Sequence, residues 1–203
     1  MLLKIYPENP NPKAIEEAAR VLRDGGVIIY PTDTVYAFGC DIFQQHAIEQ
    51  ICQYRKMDKK KANLSFICNG LSHLSEFAKV DNNTFKLMKR LLPGPYTFIL
   101  NRSNHLPKAF KERSTVGIRI PDNAIARELV AALGNPILSA SLKNDGDDVI
   151  EYLTDPELIA EKYEYVDLVI DGGYGDTTPS TVIDCTGDEP AIVRQGKGEA
   201  SPL

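Results

Sequence analysis

The chain has 203 residues, 43% of them hydrophobic and 25% charged, with a formal net charge of −5 at pH 7. A chain of this length and composition can bury one sizeable core, so we predict a single globular domain over residues 1–203. No stretch approaches the roughly 18 consecutive apolar residues of a membrane span, and the N-terminus lacks the pattern of a signal peptide. These absences predict a cytoplasmic protein that does not contact a membrane.

The net negative charge disfavours general binding to nucleic acid, although a local basic groove is compatible with it. Four cysteines lie far apart, form no CxxC pair and stand in or beside apolar runs, which predicts buried thiols instead of disulfides or a zinc site. They are Cys40, Cys52, Cys68 and Cys185. The sequence contains no phosphate loop, no GxGxxG and no HExxH, and its three histidines are isolated. Nucleotidyl chemistry here would therefore depend on positioning and charge stabilisation.

Helical and strand patterns alternate in the N-terminal half. Asn11 and Pro12 predict the start of a helix with one apolar face, and Gly25-Gly26 predicts its end. The further predicted elements are strands at 27–30, 64–68 and 96–100 and helices at 44–56, 71–78 and 82–91. Pro93-Gly94-Pro95 predicts a rigid turn before the last of these strands.

The alternation continues in the C-terminal half. It contains predicted strands at 115–120, 137–140, 168–170, 181–184 and 191–193, helices at 124–133 and 156–163, and a polar loop at 142–148. Strands that alternate with helices predict an α/β fold whose sheet is covered on both faces. In such sheets ligands bind where loops converge at strand ends.

Hydroxyl and guanidinium groups recur at these predicted strand ends. Thr32, Asp33 and Thr34 follow the first strand of the α/β pattern. The others are Thr115, Arg119, Ser139, Ser141, Ser180, Thr181 and Arg194. Hydroxyls bond phosphate or carboxylate oxygens and arginine engages them through two donors, so the set favours a small anionic ligand.

Each signal also has a purely structural interpretation. Thr32, Asp33 and Thr34 suit a proline-led turn held by local side-chain bonds. Arg119 points away from the face of its apolar strand neighbours, which is also compatible with a solvated side chain, although the converging hydroxyls favour a ligand contact. The lysines at 56 and 59–61 suit either a solvated loop or contacts to phosphate or RNA. Packing or turn formation is favoured for Tyr36, Phe38, Met57 and Asp171-Gly172-Gly173.

Eight sequence blocks carry a family resemblance. They are PTDTVYAFGCD, ICQYRKMDKKKANLSF, LLPGPYTFIL, TVGIRIPDN, PILSASLKN, VDLVIDGG, PSTVIDCT and AIVRQGKG. In their order and spacing over residues 5–198, they resemble the YrdC/YciO family. The resemblance implies a single YrdC-like domain, in which a twisted mixed α/β sheet flanked by helices folds around a basic concave pocket.

The same resemblance implies an activity. The family is associated with synthesis of L-threonylcarbamoyladenylate, in which a carbamate of L-threonine and bicarbonate displaces pyrophosphate from ATP, and the product serves tRNA threonylcarbamoyladenosine formation. The implied protein is a nucleotidyltransferase that uses Mg²⁺ with ATP and has no tightly bound cofactor. The alternative is a non-catalytic, translation-related module that binds double-stranded RNA, tRNA or ribosomal RNA.

Site residues are also implied by the resemblance. Those that would bind the amino acid are Thr34, Arg119, Ser139 and Ser180. Those that would bind the nucleotide are Lys56, Thr115, Ser141 and Arg194. Those that would act in catalysis are Arg55, Ser141 and Lys143. No residue is implied to hold a metal.

Two departures make the sequence resemble the YciO branch more than the synthase branch. Synthases carry a KxR pair and an SxN pair, and the matching residues here are Arg55-Lys56-Met57 and Ser141-Leu142-Lys143. Met57 stands in place of an arginine and Lys143 in place of an asparagine. The four matching positions therefore still carry two cations, Arg55 and Lys143. We expect the pocket to be retained and its activity to be reduced, with Lys143 partly compensating for Met57.

Overall fold

A computed structural model describes residues 1–57, 64–72, 74–104, 106–110, 112–143 and 149–199. The strands in these ranges are β1 Leu2–Lys4, β2 Ile28–Tyr30, β3 Ala37–Asp41, β4 Ser65–Ile67, β5 Ala78–Lys79, β6 Tyr96–Arg102, β7 Thr115–Arg119, β8 Ile137–Ser141, β9 Leu168–Asp171, β10 Thr181–Asp184 and β11 Ala191–Arg194. The α-helices are α1 Pro12–Arg23, α2 Gln45–Tyr54, α3 Leu74–Phe77, α4 Asn82–Leu91, α5 Ala124–Leu133, α6 Glu151–Thr154 and α7 Pro156–Lys162. A single 3-10 turn at Lys108–Phe110 completes the regular structure of these ranges.

The strands form one mixed sheet in the order β1-β9-β2-β3-β8-β4-β7-β6-β10-β11, with β5 added beside β6. The pairings β1–β9, β2–β9, β4–β7 and β6–β10 are parallel. Near the centre, β8 pairs antiparallel with both β3 and β4. The predicted α/β fold with a mixed sheet is confirmed.

Helices pack on both faces of this sheet. On one face a smaller core joins α1 and α5 to β2 and β9, through residues such as Leu22, Ile28 and Leu129. On the other face a larger core packs α2, α4 and α7 against Phe66 and Phe98. Burial on both sides explains why the inner strands are predominantly apolar. A polar side chain on one of these strands is therefore a candidate for a functional role.

Helix ends follow the sequence signals closely. The Asn11 side chain accepts a hydrogen bond of 2.9 Å from the backbone N–H of Lys13, with Pro12 in the first turn of α1. α5 ends at Gly134, whose φ of 86° lies in the left-handed region that glycine adopts without strain. The bounds of α4 and α5 coincide with the predicted helices at 82–91 and 124–133.

The sequence analysis predicts no element where β1, β3 and α6 are found, and it predicts the end of a helix at Ala78, where β5 begins. β3 is buried along its whole length and pairs on both edges, so it shows no polar alternation. The helix predicted at 71–78 is shorter, Leu74–Phe77, because Ala78 and Lys79 pair with β6 instead. Each of these three strands has a partner outside its own sequence neighbourhood: β9 for β1, β8 for β3 and β6 for β5.

The four cysteines lie in the interior of the fold. All four cysteines are free and buried, as predicted. Burial raises the pKa of the Cys68 thiol to about 12, which keeps it protonated and unreactive at neutral pH. Within the described ranges, no helix is long and apolar enough to cross a membrane.

Candidate functional site

One face of the central strands carries hydroxyl groups where apolar side chains would be expected. In β7, Val116 and Ile118 point into the larger core, so Thr115 and Arg119 point to the opposite face. Pairing of β7 with β4, and of β4 with β8, places further hydroxyls beside them. We call this surface the hydroxyl face, and its members are Ser65, Thr97, Thr115, Ser139 and Ser141.

The hydroxyl face continues the side of the sheet on which α1 and α5 pack. The smaller core beneath these helices takes its strand residues from β2, β3, β4, β8 and β9, and among the described residues it takes none from β6, β7 or β10. Thr97, Gly117 and Val182 of those three strands are half-exposed. The sheet is therefore accessible to a ligand on this side.

Arg119 is the central cation of the hydroxyl face. Its Nη2 donates to Asp33 Oδ1 at 2.9 Å and to Thr34 Oγ1 at 3.0 Å. The side chains of Arg119 and Asp33 are only 3% and 8% exposed. Arg119 Nε is buried and has no hydrogen-bond partner within the described part of the chain. A guanidinium anchored at one nitrogen by a carboxylate has a fixed orientation, which suits it to bind a further acceptor.

The residues Pro31 to Thr34, which we call the PTDT turn, combine local and long-range hydrogen bonds. Thr32 Oγ1 donates to the carbonyl of Val35 at 2.8 Å and accepts from the N–H of Thr34 at 3.0 Å. Asp33 Oδ2 accepts from the N–H of Asp122 at 3.0 Å, in addition to its bond with Arg119. The turn with local side-chain bonds is confirmed, and the same turn also carries the groups that hold Arg119.

Ser180 and Arg194 form a second polar cluster beside β6. Ser180 Oγ lies 2.7 Å from Thr97 Oγ1. Arg194 donates to the Ser180 carbonyl from Nη2 at 2.7 Å and from Nε at 3.2 Å. Desolvation, and secondarily the positive charge of Arg119, lower the pKa of Arg194. Two guanidinium groups that interact across one face favour binding of an anion near both.

Ser139 lies at the buried part of the hydroxyl face. It is 2% exposed and accepts a hydrogen bond of 2.9 Å from Tyr30 Oη. Burial raises the pKa of Tyr30 to about 12, so the phenol stays protonated at neutral pH and remains a donor. Because Tyr30 supplies the hydrogen of this bond, the Ser139 hydroxyl keeps its own hydrogen for another acceptor.

Arg55, Lys56 and Met57 form the C-terminal cap of α2. The N–H of Lys56 donates to the carbonyl of Gln53 at 3.0 Å, and the N–H of Met57 donates to the carbonyl of Cys52 at 2.9 Å. These two bonds define a Schellman motif, and the φ of 47° at Lys56 is the left-handed conformation that such a cap requires. Met57 is half-buried against the larger core, so its predicted packing role is confirmed.

No described contact brings Arg55 or Lys56 onto the hydroxyl face. Lys56 and Met57 instead line a small groove of about 400 Å³ at the end of α2. The segment 58–63 that joins this cap to β4, with the lysines at 59–61, lies outside the described residues. The proposed nucleotide contact of Lys56 and the proposed catalytic role of Arg55 stay predictions.

Thr115, Ser141 and Lys143 lie where the two central strands meet the loops. Thr115 begins β7 and is half-exposed on the hydroxyl face, and Ser141 ends β8 opposite Ala37. Lys143 follows two residues later and is exposed. The fold thus places Thr115 and Ser141 on one face with Arg119, while their roles toward nucleotide stay predictions.

An open cleft of about 760 Å³ adjoins the PTDT turn, which supplies part of its wall. Its charged lining residues are Asp33, Asp122, Asp176 and Lys197. Three carboxylates and one ammonium do not make a basic surface, so this cleft does not have the positive character that the family resemblance implies. Among the described residues, two cations on the hydroxyl face are Arg119 and Arg194.

Besides Ser65, four side chains at the site were not singled out by sequence reasoning. They are Tyr30, Thr97, Asp176 and Lys197. A partial signal existed for Lys197, which stands between two glycines in the block AIVRQGKG. Across the described ranges, no group of three or more His, Cys, Asp and Glu side chains is arranged to hold a metal ion.

A mixed α/β sheet with an open, hydroxyl-lined face that carries Arg119 and Arg194 is an arrangement suited to a small anionic ligand. The chain belongs to the Sua5/YciO/YrdC family, because residues 20–196 match the family model described as "Sua5_yciO_yrdC: Telomere recombination". The predicted family membership is therefore confirmed.

Three relatives show the extent of the likeness. YciO of Escherichia coli (strain K12) is 45% identical over 202 residues, 98% of this chain and 97% of its own, and the crystal structure of E. coli YciO has a TM-score of 0.91 over 100% of this chain and 98% of that one. P. abyssi Sua5 complexed with L-threonine is 28% identical with a TM-score of 0.85, over 97% of this chain and 57% of that one. A putative threonylcarbamoyl-AMP synthase of Methanocaldococcus jannaschii is 28% identical over 198 residues, 96% of this chain and 92% of its own. The chain is thus linked to threonylcarbamoyl-AMP synthases at the family level, with higher identity to YciO.

Proposed function

We propose that the protein is an L-threonylcarbamoyladenylate synthase that serves tRNA threonylcarbamoyladenosine formation at a reduced rate. In the proposed reaction the amino group of L-threonine combines with bicarbonate to give a carbamate and water. A carbamate oxygen then attacks the α-phosphorus of ATP, the bond to the bridging oxygen of the β-phosphate breaks, and pyrophosphate leaves. The family-level likeness to threonylcarbamoyl-AMP synthases supports this proposal.

The observation that carries the proposal is the setting of Arg119. Its Nη2 is held by Asp33 and Thr34, while its Nε is buried and lacks a partner among the described residues. A buried donor without an acceptor costs about 1–3 kcal/mol, so a ligand carboxylate at this guanidinium would be stabilised. The related Sua5 structure is a complex with L-threonine. We assign the threonine carboxylate to Arg119, and the remaining amino-acid contacts to Thr34, Ser139 and Ser180.

The nucleotide is assigned to the adjoining part of the hydroxyl face. Arg194 would lie near the phosphates, because desolvation and, secondarily, the charge of Arg119 lower its pKa, and a nearby anion would stabilise the charged guanidinium. The further contacts to the nucleotide are assigned to Lys56, Thr115 and Ser141. Arg55, Ser141 and Lys143 would stabilise the departing pyrophosphate. Mg²⁺ would enter as the counterion of ATP, as it commonly does with only one or two protein ligands.

The proposal is tested by release of pyrophosphate from ATP. We expect release only when L-threonine and bicarbonate are both present, with L-threonylcarbamoyladenylate as the second product by mass spectrometry. Valine should substitute poorly, because a site whose hydroxyls bond the threonine hydroxyl leaves them unpaired when that group is absent. Each substrate is omitted in turn, and the Arg20→Ala protein, changed on an exposed position of α1, serves as a control.

Two outcomes would contradict the proposal. Pyrophosphate release that does not depend on threonine would show a different acceptor for the nucleotide. Binding of both ATP and threonine without any release would show that the site binds its ligands but does not catalyse the reaction.

Removal of the Arg194 guanidinium is expected to weaken ATP binding about fivefold to tenfold, the effect of losing one charge-assisted hydrogen bond of roughly 1 kcal/mol or more. Calorimetric titration of Arg194→Ala with ATP measures this loss, and Arg20→Ala provides the matched arginine control. Because Arg194 also bonds the Ser180 carbonyl, threonine affinity is measured on the same proteins. Unchanged ATP affinity would exclude Arg194 from the nucleotide site.

A second candidate function is a non-catalytic RNA-binding module. One observation favours it: Met57, which stands where synthases carry an arginine, is packed into the α2 cap and supplies no charge. Fluorescence anisotropy with a short double-stranded RNA and with tRNA, at two salt concentrations, measures this binding. Tight, salt-dependent RNA binding in a protein that releases no pyrophosphate would favour the module over the enzyme.

A further inference from the structure

The residues 195–198, which follow β11, are bonded tightly across the end of β10. We call them the C-terminal strap. Thr181 Oγ1 accepts from the N–H of Gly196 at 2.9 Å and donates to the carbonyl of Gly198. The N–H of Lys197 donates to the carbonyl of Pro179 at 2.8 Å. The backbone on both sides of Lys197 is thereby fixed to the sheet.

The two glycines of the strap are required by close contacts. A Cβ atom at Gly196 would lie 2.2 Å from the carbonyl oxygen of Pro179, and a Cβ atom at Gly198 would lie 2.4 Å from the ring of Tyr96. Both distances are too short for any residue with a side chain. The two glycines of Gly-Lys-Gly therefore allow the strap to lie close against the sheet, and they fix the position of the backbone of Lys197.

Lys197 reaches the PTDT turn from this position. Its Nζ donates to the carbonyl of Asp33 at 2.8 Å and pairs with Asp176 Oδ2 at 2.8 Å. The N–H of Asp176 in turn donates to the carbonyl of Thr34 at 3.1 Å. Two consecutive carbonyls of the turn are thus held by one lysine and its partner, while the side chains of the same two residues hold Arg119.

We propose that Lys197 is a positioning residue, which fixes the PTDT turn through the Asp33 and Thr34 carbonyls and so fixes the orientation of Arg119. Lys197 and Asp176 are 44% and 33% exposed, so their ion pair alone contributes little to global stability. Lys197 matters because its contacts join three segments that are far apart in the chain: the PTDT turn, the loop containing Asp176 and the strap. The consequence for threonine affinity rests on the proposed function, whereas the consequence for the turn does not.

The test measures the turn and the ligand separately. In Lys197→Met, hydrogen–deuterium exchange of a peptide covering residues 30–36 should be about tenfold faster, since the turn loses the Lys197 hydrogen bond at the Asp33 carbonyl, with no change in α5. Calorimetry should show threonine affinity reduced about tenfold, with ATP affinity within about twofold of the original. Lys197→Arg should restore both properties, because it keeps the charge and the donors. The control is Lys89→Met, an exposed lysine of α4.

The outcomes separate the two proposals. Unchanged exchange in the PTDT turn of Lys197→Met, or an equal change in Lys89→Met, overturns the positioning role. Faster exchange with unchanged threonine affinity, in a protein that binds threonine, also overturns it. If the unmodified protein binds no threonine, faster exchange that Lys197→Arg reverses still supports the strap, and only the proposed function fails. Asp176→Asn combined with Lys197→Met should weaken threonine binding no further than Lys197→Met alone, because both act through one contact.

Discussion

Arg119→Ala is expected to lower L-threonine affinity by about 30-fold or more and to destabilise the folded protein. Arg119 and Asp33 form a buried pair at 2.9 Å, and removal of one partner leaves an uncompensated carboxylate. Such a change costs about 3–5 kcal/mol of unfolding free energy. Loss of the fork that would bind the ligand carboxylate costs a further 2–5 kcal/mol of binding free energy, and each 1.4 kcal/mol is tenfold in affinity. Calorimetric titration and urea unfolding measure the two effects.

A neutral pair separates stability from binding at this position. In the double variant Arg119→Met with Asp33→Asn no buried charge is left unpaired, so unfolding free energy should recover most of the loss. Threonine binding should stay lost, because the guanidinium is absent. Arg119→Lys should retain part of the binding, since it keeps the charge without the planar fork. Threonine affinity that survives in the folded double variant would refute the assignment of the carboxylate to Arg119.

Lys143→Ala is expected to reduce pyrophosphate release by about 100-fold or more, an effect of about 3 kcal/mol on the transition state. Lys143 lies two residues after Ser141, the last residue of β8. This strand carries two members of the hydroxyl face, Ser139 and Ser141. Met57 supplies packing to the α2 cap and no positive charge, so the departing pyrophosphate would depend on Arg55 and Lys143. Initial rates at saturating ATP, threonine and bicarbonate provide the measurement, with Lys89→Ala as the matched lysine control.

The reciprocal change tests whether charge location sets the rate. Met57→Arg with Lys143→Asn recreates the KxR and SxN spacing and should restore or raise turnover. Met57 is half-buried, so the double variant is also expected to lose some thermal stability, which is followed by its melting temperature. Two results together would contradict the proposal that Lys143 compensates for Met57. Lys143→Ala would keep full turnover, and the double variant would fold and bind ATP but be inactive. Those results would favour the RNA-binding module.

Local sequence patterns are sufficient to predict a helix when its cap, its apolar face and its terminating residue all lie within the helix or next to it. α4 and α5 match their predicted bounds because an Asp or Asn cap, an apolar face of helical spacing and a terminating residue all lie within about a dozen positions. The direction of Arg119 also follows from local geometry, since side chains alternate along a strand and Ile118 is in the core. The packing of Met57 agrees with its apolar character, although nothing local marks the left-handed Lys56 as the end of α2.

The partners of these groups were decided by tertiary structure. Asp33 meets Arg119 across 86 residues, and Lys197 meets the Asp33 carbonyl across 164, because β7, β10 and β11 lie in one sheet whose order is unrelated to their order in the chain. β3 shows the same dependence, since β2 and β8 pair with its two edges while the larger and the smaller core bury its two faces. The sequence determined which residues carry hydroxyls and charges and which way each points from its own strand. The pairing of strands determined which of them meet, because hydrogen bonds between strands depend on sheet order and register, and a one-residue change of register would send every side chain to the opposite face.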